Sequence, residues 1–231
     1  MTVTIAAVHA GLGVPSSSRM LVDRIAHHLG HQSGPGEVVV EVIELRELAG
    51  QIANNLVTGY AEPQLDRALK LIASADGIVA ITPIFNASYA GLFKSFFDLV
   101  EAEAIVGTPV LLGATGGTAR HSLAIDFAMR PLFAYLKVLP VATGVFAATE
   151  EWGGKNVEGG LEHRIARGAG ELLAALRRGT GQADGDAAQV APTIAATAAD
   201  FTTGAQREAE KRAEHDGFAA LMNQFAGERP E

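Results

Sequence analysis

The chain of 231 residues contains no cysteine. Disulfide bonds, thiolate metal sites and thiol-based redox chemistry are therefore excluded, and any redox function has to use a bound cofactor. Charged residues make up only 19% of the chain, and no apolar run is long enough to cross a membrane. The first ten residues lack the basic start and the cleavage site of a signal peptide, so we expect a soluble protein of the cytoplasm.

Positive charge is also scarce. The chain has 18 Lys and Arg residues against 26 Asp and Glu residues, which gives a formal net charge of −8. Such a charge disfavours general binding to nucleic acid or to anionic membranes, although a local anion pocket stays possible. The hydrophobic fraction of 48% is typical of a globular domain with a sizeable core. We therefore expect small-molecule partners.

Strand-like and helix-like segments alternate over the first 178 residues. Five short, largely apolar runs indicate strands at residues 3–8, 37–45, 77–82, 109–114 and 138–147. Apolar stripes at helical spacing between and after them indicate covering helices within residues 18–29, 65–72, 92–100, 121–136 and 158–178. This alternation predicts an α/β fold with a doubly wound, five-stranded parallel sheet, for which the flavodoxin-like order 2-1-3-4-5 is the natural solution.

The composition changes after residue 178. Residues 179–199 are rich in small residues and lack large apolar ones, so we predict a flexible linker, placed at 179–204. Residues 205–231 have a charged first half followed by a stripe of Phe218, Leu221, Met222 and Phe225. This stripe predicts a C-terminal helical extension that docks either on its own domain or on a neighbouring subunit.

Ligands of open parallel sheets bind beyond the carboxyl ends of the strands, and the loop after the first predicted strand suits an anion there. It combines hydroxyls, backbone N–H groups and a guanidinium at a helix N-terminus, where the helix dipole favours a phosphate. It has neither the glycine-rich dinucleotide fingerprint nor the P-loop lysine motif. Serine also caps helices, so by itself this loop leaves phosphate binding and simple capping open. The candidate phosphate ligands are Gly11, Ser16, Ser17, Ser18 and Arg19.

Two further loops follow the third and fourth predicted strands. Residues 82–94 join a buried strand to a helix through a rigid proline, and we expect Pro83 to end the strand's ladder because it lacks an N–H donor. The backbone of this loop can line a flat heteroaromatic ring. In residues 113–121, two glycines permit a close approach of the backbone to a ligand, and threonines add hydroxyl donors. The candidate ring ligands are Pro83, Ile84, Phe85, Asn86, Thr115, Gly116, Gly117 and Thr118.

The segment from Thr82 to Lys94 resembles the loop after the third strand of the NADPH-dependent FMN reductase family, and residues 113–121 resemble its Gly-Gly loop. The resemblance runs from about residue 3 to residue 178. It implies that FMN is the cofactor, with the phosphate at the first loop. It also implies that Phe85 stands where relatives usually have tyrosine or another large residue, and that Gly116 and Gly117 approach the pyrimidine side of the flavin. The reductant implied is NADPH or NADH.

The resemblance implies an NAD(P)H:FMN oxidoreductase that passes a hydride to flavin and then electrons to a second flavin or a similar acceptor. In its overall character, the sequence most resembles actinobacterial reductases that supply reduced flavin to luciferase-like monooxygenases. Because the flavin carries the redox chemistry, we assign no catalytic acid or base. Two alternatives remain: a quinone or azo-dye reductase of the same fold, and a flavodoxin-like electron carrier. Arg19 and the lack of carboxylates in residues 82–94 disfavour the carrier.

The family also implies a homodimer or tetramer with flavin sites between subunits. Phe93, Phe96 and Phe97 share one predicted helix face, and they either contribute to that interface or fill the monomer core. The three histidines at residues 27–31 fit a solvated helix end better than a metal site, so no metal ligand is assigned. His121 faces the flavin, another subunit or solvent, and Trp152 is a packing or interface anchor.

Overall fold

A computed structural model of the chain describes residues 2–153 and 160–179. The predicted C-terminal helical extension lies outside these residues, as does the predicted linker apart from Gly179, which ends the last helix.

The strands are β1 (Val3–His9), β2 (Val38–Glu44), β3 (Gly77–Phe85), β4 (Ser88–Tyr89), β5 (Pro109–Gly116), β6 (Leu139–Pro140) and β7 (Val145–Ala148). The parallel order is β2-β1-β3-β5, with both β6 and β7 paired to the outer side of β5. Two short strands thus share the fifth position of the sheet. The predicted α/β, flavodoxin-like architecture is confirmed.

The single strand predicted at residues 138–147 is wrong. Between β6 and β7 the carbonyls of Val141 and Ala142 accept hydrogen bonds from the Arg130 guanidinium at 3.2 and 2.6 Å. The Thr143 N–H donates to the Glu171 carboxylate at 2.7 Å. Side chains therefore satisfy backbone groups that a continuous strand would have paired in the sheet.

The helices are α1 (Ser17–Gln32), α2 (Leu45–Thr58), α3 (Pro63–Ser74), α4 (Gly91–Phe97), α5 (Arg130–Tyr135) and α6 (Leu161–Gly179). Sequence reasoning missed α2, although Leu45, Leu48 and Ile52 are buried along one face of it. The helix predicted at 121–136 is instead a 3-10 turn (Ala119–His121), a π-helical turn (Ile125–Met129) and α5. Pro131 has no N–H to donate to the preceding turn, which favours this break.

Side chains of alternating strand positions fill two separate cores. Ile5 and Ala7 of β1 pack toward α1 and α6, whereas Ala6 and Val8 pack on the other face of the sheet. Phe93, Phe96 and Phe97 are all buried in that second core, where the ring of Phe97 lies 4.9 Å from the ring of Phe133. All three phenylalanines fill the monomer core, so they give no evidence for an interface.

Among the described helices, none combines the length and the apolar character that crossing a bilayer requires.

Candidate functional site

The three candidate loops start side by side. β1, β3 and β5 are adjacent and parallel, with His9 opposite Ile81 and Pro83 opposite Thr115 in the register. Their carboxyl ends therefore lie at one edge of the sheet, as expected for the ligand-binding edge of this architecture. The structure thus brings the three predicted segments together.

In the first loop the three serines have different surroundings. Ser16 is the N-cap of α1, and its Oγ accepts a hydrogen bond from the Arg19 N–H at 3.2 Å. Ser18 is buried and its Oγ lies 3.0 Å from Thr115 Oγ1, within hydrogen-bond distance. Ser17 is exposed. Gly11 makes the cap possible, because a Cβ at this position would collide with Ser16 Oγ. The three neighbouring serines therefore differ: one caps the helix, one is buried against β5 and one is exposed.

The amino end of α1 can accept an anion. Within the described part of the chain, the backbone N–H groups of residues 16–18 donate to no acceptor, as is usual for the first turn of a helix. The first turn contains no acidic residue that would repel an anion. The free amides and the positive end of the helix dipole therefore fit the phosphate of FMN.

The Arg19 side chain extends away from this first turn. Its Nε donates to Asp23 Oδ1 at 2.9 Å, and its Nη1 lies 3.9 Å from Glu44 Oε2. Arg19 thus bridges α1 and the end of β2. Ion pairs this exposed are weak, so a phosphate can compete for the guanidinium.

The second loop is a β-hairpin, which sequence reasoning missed. Pro83 ends the parallel ladder with β5, as predicted, but β3 continues to Phe85 and turns back into β4. The two turn residues, Asn86 and Ala87, have φ of 49° and 66°. This is the left-handed pair that a two-residue hairpin turn requires. The available signal was Asn86; the usual glycine after it is replaced by alanine, which hid the turn.

The hairpin is fixed at its base and exposed at its tip. The Oγ1 of the buried Thr82 accepts from the Ala90 N–H at 2.9 Å and donates to the Pro83 carbonyl at 3.0 Å. Phe85 is 49% exposed, and Asn86 is exposed as well. An apolar ring of this kind, held by the hairpin at the ligand-binding edge, suits packing against a flat heteroaromatic group.

In the third loop, Gly116 is packed inside the protein, whereas the next two residues, Gly117 and Thr118, are exposed. A Cβ at Gly116 would lie 2.9 Å from Phe146 Cζ, so this glycine permits close packing inside the protein. A Cβ at Gly117 would meet nothing within 4 Å. The N–H groups of Gly117 and Thr118 donate to no acceptor in the described ranges, and both residues are exposed. These two amides are therefore available to a ligand, as is the exposed side chain of His121.

Sequence reasoning also missed His9, the last residue of β1. Its side chain is fully buried, and neither ring nitrogen has a hydrogen-bond partner among the described residues. Its Nε2 lies 3.9 Å from Glu44 Oε2. Burial lowers the pKa of His9 below its usual value; Glu44 and Asp23 oppose this shift, whereas Arg19 and Arg46 add to it. The signal in the sequence was a polar residue at the end of an otherwise apolar strand.

Trp152, after β7, is tied to α1. The Arg24 guanidinium carbon lies 5.1 Å from the centre of the Trp152 ring, and Arg24 Nη1 donates to Glu162 Oε1 at 2.6 Å. His28 Nε2 lies 3.0 Å from the other oxygen of Glu162. In the part of the chain that the structure describes, no cluster of three metal-binding side chains is found. Trp152 therefore acts as a packing anchor, and His28 belongs to the contact between α1 and α6.

Comparisons with known proteins identify the family to which the chain belongs. The family model described as NADPH-dependent FMN reductase matches residues 3–153, which contain all three loops. The FMN reductase (NADPH) of Pseudomonas aeruginosa is 37% identical over 148 residues, covering 64% of this chain and 78% of the relative. The NADH-dependent FMN reductase SfnE of Pseudomonas putida is 36% identical over 147 residues, covering 64% of this chain and 77% of the relative.

Solved structures show the same likeness. An oxidoreductase from Corynebacterium diphtheriae is 40% identical with a TM-score of 0.72, covering 77% of this chain and 98% of that protein. The apo form of the NADH:FMN oxidoreductase EmoB shares the fold, with 23% identity and a TM-score of 0.64 over 77% of this chain and 90% of that protein. The chain belongs to the NADPH-dependent FMN reductase family, which confirms the FMN cofactor and the NAD(P)H:FMN oxidoreductase class predicted from its sequence.

Proposed function

We propose that FMN spans the three loops and that the chain reduces it with NADPH or NADH. The observation that carries this proposal is that backbone N–H groups at residues 16–18 and 117–118, which have no acceptor within residues 2–153 and 160–179, lie at one edge of the sheet. The first set holds the phosphate together with Ser17, and the second set faces the pyrimidine ring. Residues 83–86 border the isoalloxazine ring, with Phe85 packed against it.

The chemistry of each step then falls to identifiable parts of the chain. When bound, FMN supplies the hydride-accepting ring. The amides of Gly117 and Thr118 stabilise negative charge that develops on the pyrimidine side, because preorganised N–H donors lose no energy to reorganisation. The N-terminus of α1 orients the phosphate. No acid or base among the side chains is needed for a hydride transfer.

Supply of reduced flavin to an acceptor is the finer part of the proposal. The relatives are named for flavin reduction, which favours a second flavin, or a flavin-dependent monooxygenase that uses it, over a quinone or an azo dye. The absence of a membrane-spanning helix among the described residues fits the proposed cytoplasmic location. Oxidation of NADPH or NADH in the presence of FMN, a quinone and an azo dye in turn compares the acceptors. Faster turnover with the quinone or the dye than with FMN would contradict this choice.

We also propose a homodimer or tetramer. In place of the buried phenylalanines, the exposed apolar side chains of Leu123, Phe127 and Tyr135 support it, at 60%, 77% and 80% exposure between the turn before the π-helical segment and the end of α5. Apolar residues grouped in this way mark subunit interfaces. Light scattering of the Phe127→Asp variant is expected to give a smaller particle than the parent chain. A monomeric parent chain with full activity would rule the oligomer out.

The binding proposal is tested by titrating the apo-protein with FMN, FAD and riboflavin and following the quenching of flavin fluorescence. We expect FMN to bind more tightly than riboflavin, because only FMN carries a phosphate for residues 16–18. Equal affinity for FMN and riboflavin would remove the first loop from the site. Failure to oxidise either nicotinamide in the presence of FMN would favour an electron carrier over a reductase.

A further inference from the structure

One buried side-chain hydrogen bond connects two of the three loops. Ser18 Oγ and Thr115 Oγ1 are 3.0 Å apart although the residues are 97 positions apart in the chain. The two residues are 1% and 3% exposed. Both hydroxyls therefore point into the protein interior, and neither is offered to a ligand in solvent.

The Ser18–Thr115 pair lies where the first and third loops meet their secondary-structure elements. Ser18 is in the first turn of α1, two residues after the cap Ser16. Thr115 directly precedes Gly116, and in the sheet register it lies opposite Pro83, where the hairpin strand leaves the parallel ladder. The bond thus joins the amino end of α1 to the start of the Gly116-Gly117 loop, beside the base of the second loop.

We propose that Ser18 and Thr115 are positioning residues whose hydrogen bond sets the spacing between the phosphate end and the pyrimidine end of the site. This inference rests on the proposed function, and it replaces a direct ligand role for these two side chains. Only a ligand that reaches both loops depends on their spacing. FMN does so, whereas riboflavin lacks the phosphate and inorganic phosphate lacks the ring.

Loss of the Ser18–Thr115 hydrogen bond should change the affinity for FMN relative to the affinities for riboflavin and inorganic phosphate. In Ser18→Ala or Thr115→Val, we expect the FMN dissociation constant to rise about tenfold, which corresponds to about 1.4 kcal/mol. Binding of riboflavin and of inorganic phosphate should change by less than about twofold. With NADPH as reductant, the KM for FMN should rise while kcat at saturating FMN is kept.

The test compares four variants of the full chain: Ser18→Ala, Thr115→Val, the double variant and Thr115→Ser. Because both single changes break the same bond, the double variant should lose no more FMN affinity than either single one. Thr115→Ser keeps the hydroxyl and should restore parental affinity. Ser74→Ala is the control, since it removes a hydroxyl that bonds the Lys70 carbonyl on α3. This variant should leave the dissociation constants of FMN, riboflavin and inorganic phosphate unchanged.

Stability provides a second readout for variants that fold poorly. Each single change leaves one buried hydroxyl without its partner, whereas the double change removes both. Thermal unfolding without ligand should therefore show the double variant at least as stable as the less stable single variant. Independent, additive losses would overturn the inference.

Three other results would also overturn the inference while leaving the proposed function intact. Loss of phosphate binding in Ser18→Ala alone would make Ser18 a direct phosphate ligand. An equal loss of riboflavin and FMN affinity in Thr115→Val would make Thr115 a direct ring ligand. Unchanged FMN affinity in both single variants would show that the bond does not set the spacing. A parent chain that binds no FMN would instead defeat the proposed function itself.

Discussion

The loop after β1 and the loop after β3 are built in opposite ways. In the first, Gly11, the capping Ser16 and the buried Ser18–Thr115 pair hold the backbone through internal contacts. The amides of residues 16–18 are left without an acceptor in the described part of the chain. In the second, an exposed hairpin presents Phe85 on a turn whose two residues have positive φ. The difference indicates that the proposed phosphate loop is held by internal contacts, whereas the proposed ring loop is exposed.

The rigid loop is broken most severely by Gly11→Ala. The new Cβ would collide with Ser16 Oγ and lie 3.1 Å from Ser18 Cβ, so the cap and the hydroxyl pair both have to move. Overpacking of this kind costs about 1–3 kcal/mol, and we expect FMN affinity to fall by roughly tenfold or more. FMN titration and thermal unfolding measure the two effects.

Gly50→Ala is the matched control for this substitution, because a Cβ there, in the middle of α2, would meet nothing within 4 Å. It should leave FMN affinity unchanged and should not lower the stability. If Gly11→Ala behaves like Gly50→Ala, the first loop does not hold the phosphate as described.

The ring side is tested by Phe85→Ala. Phe85 is half exposed and is not a member of either core, so the fold should be retained while ring packing is lost. An aromatic contact is worth about 0.5–1.5 kcal/mol, and FMN and riboflavin should weaken together by about threefold to tenfold. Phe85→Tyr should bind both flavins at least as well as the parent chain. A loss confined to FMN would place Phe85 near the phosphate instead.

The strain in the hairpin is tested by Ala87→Gly. Alanine at φ 66° is in the left-handed region that glycine adopts freely. Left-handed backbone costs roughly 1–2 kcal/mol for residues with a Cβ, so the variant should be more stable by up to about 1 kcal/mol once the extra freedom of unfolded glycine is subtracted. Urea unfolding measures the change. A less stable variant would show that the turn is not strained at Ala87.

The smallest expected effect concerns His9 beneath the first loop. Its pKa is lowered in the folded chain from a usual value of 6.5, so the unfolded chain takes up the proton first as the pH falls. The contribution of His9 to the free energy of unfolding should therefore be fully present above that usual pKa. It should fall as the pH drops below that value and level off below the pKa of the folded state. Urea unfolding between about pH 7.5 and about pH 5 follows this loss.

In His9→Phe, the decline between these pH values should be smaller than in the parent chain. The control is His121→Gln, which removes an exposed imidazole and leaves His9 in place. An unchanged decline in His9→Phe would mean that other groups carry it.

The sequence predicted the architecture well because its signals were local. Apolar runs and helical stripes located β1, β3, β5, α1 and α6 to within a few residues. The errors have physical causes that lie outside a single segment. The side chains of Arg130 and Glu171, which belong to other elements, form hydrogen bonds with the backbone between β6 and β7. A turn without glycine concealed the β3–β4 hairpin.

The candidate site was predictable as three loops but not residue by residue. Glycine and serine in a loop suggest ligand contacts, yet Gly11 and Gly116 serve packing, and Ser18 bonds Thr115. Which serine caps the helix and which faces solvent depends on how the loop folds over β5. The aromatic trio of α4 illustrates the same limit, because helical spacing alone does not tell a core face from an interface.

Amide chemical shifts of the labelled full chain report whether one FMN molecule contacts both ends of the site. Titration with FMN should move the N–H signals of residues 16–18 together with those of Gly117 and Thr118. Titration with riboflavin should move only the Gly117 and Thr118 set. Shifts in both sets with riboflavin, or in neither set with FMN, would show that FMN does not bridge the two loops through its phosphate.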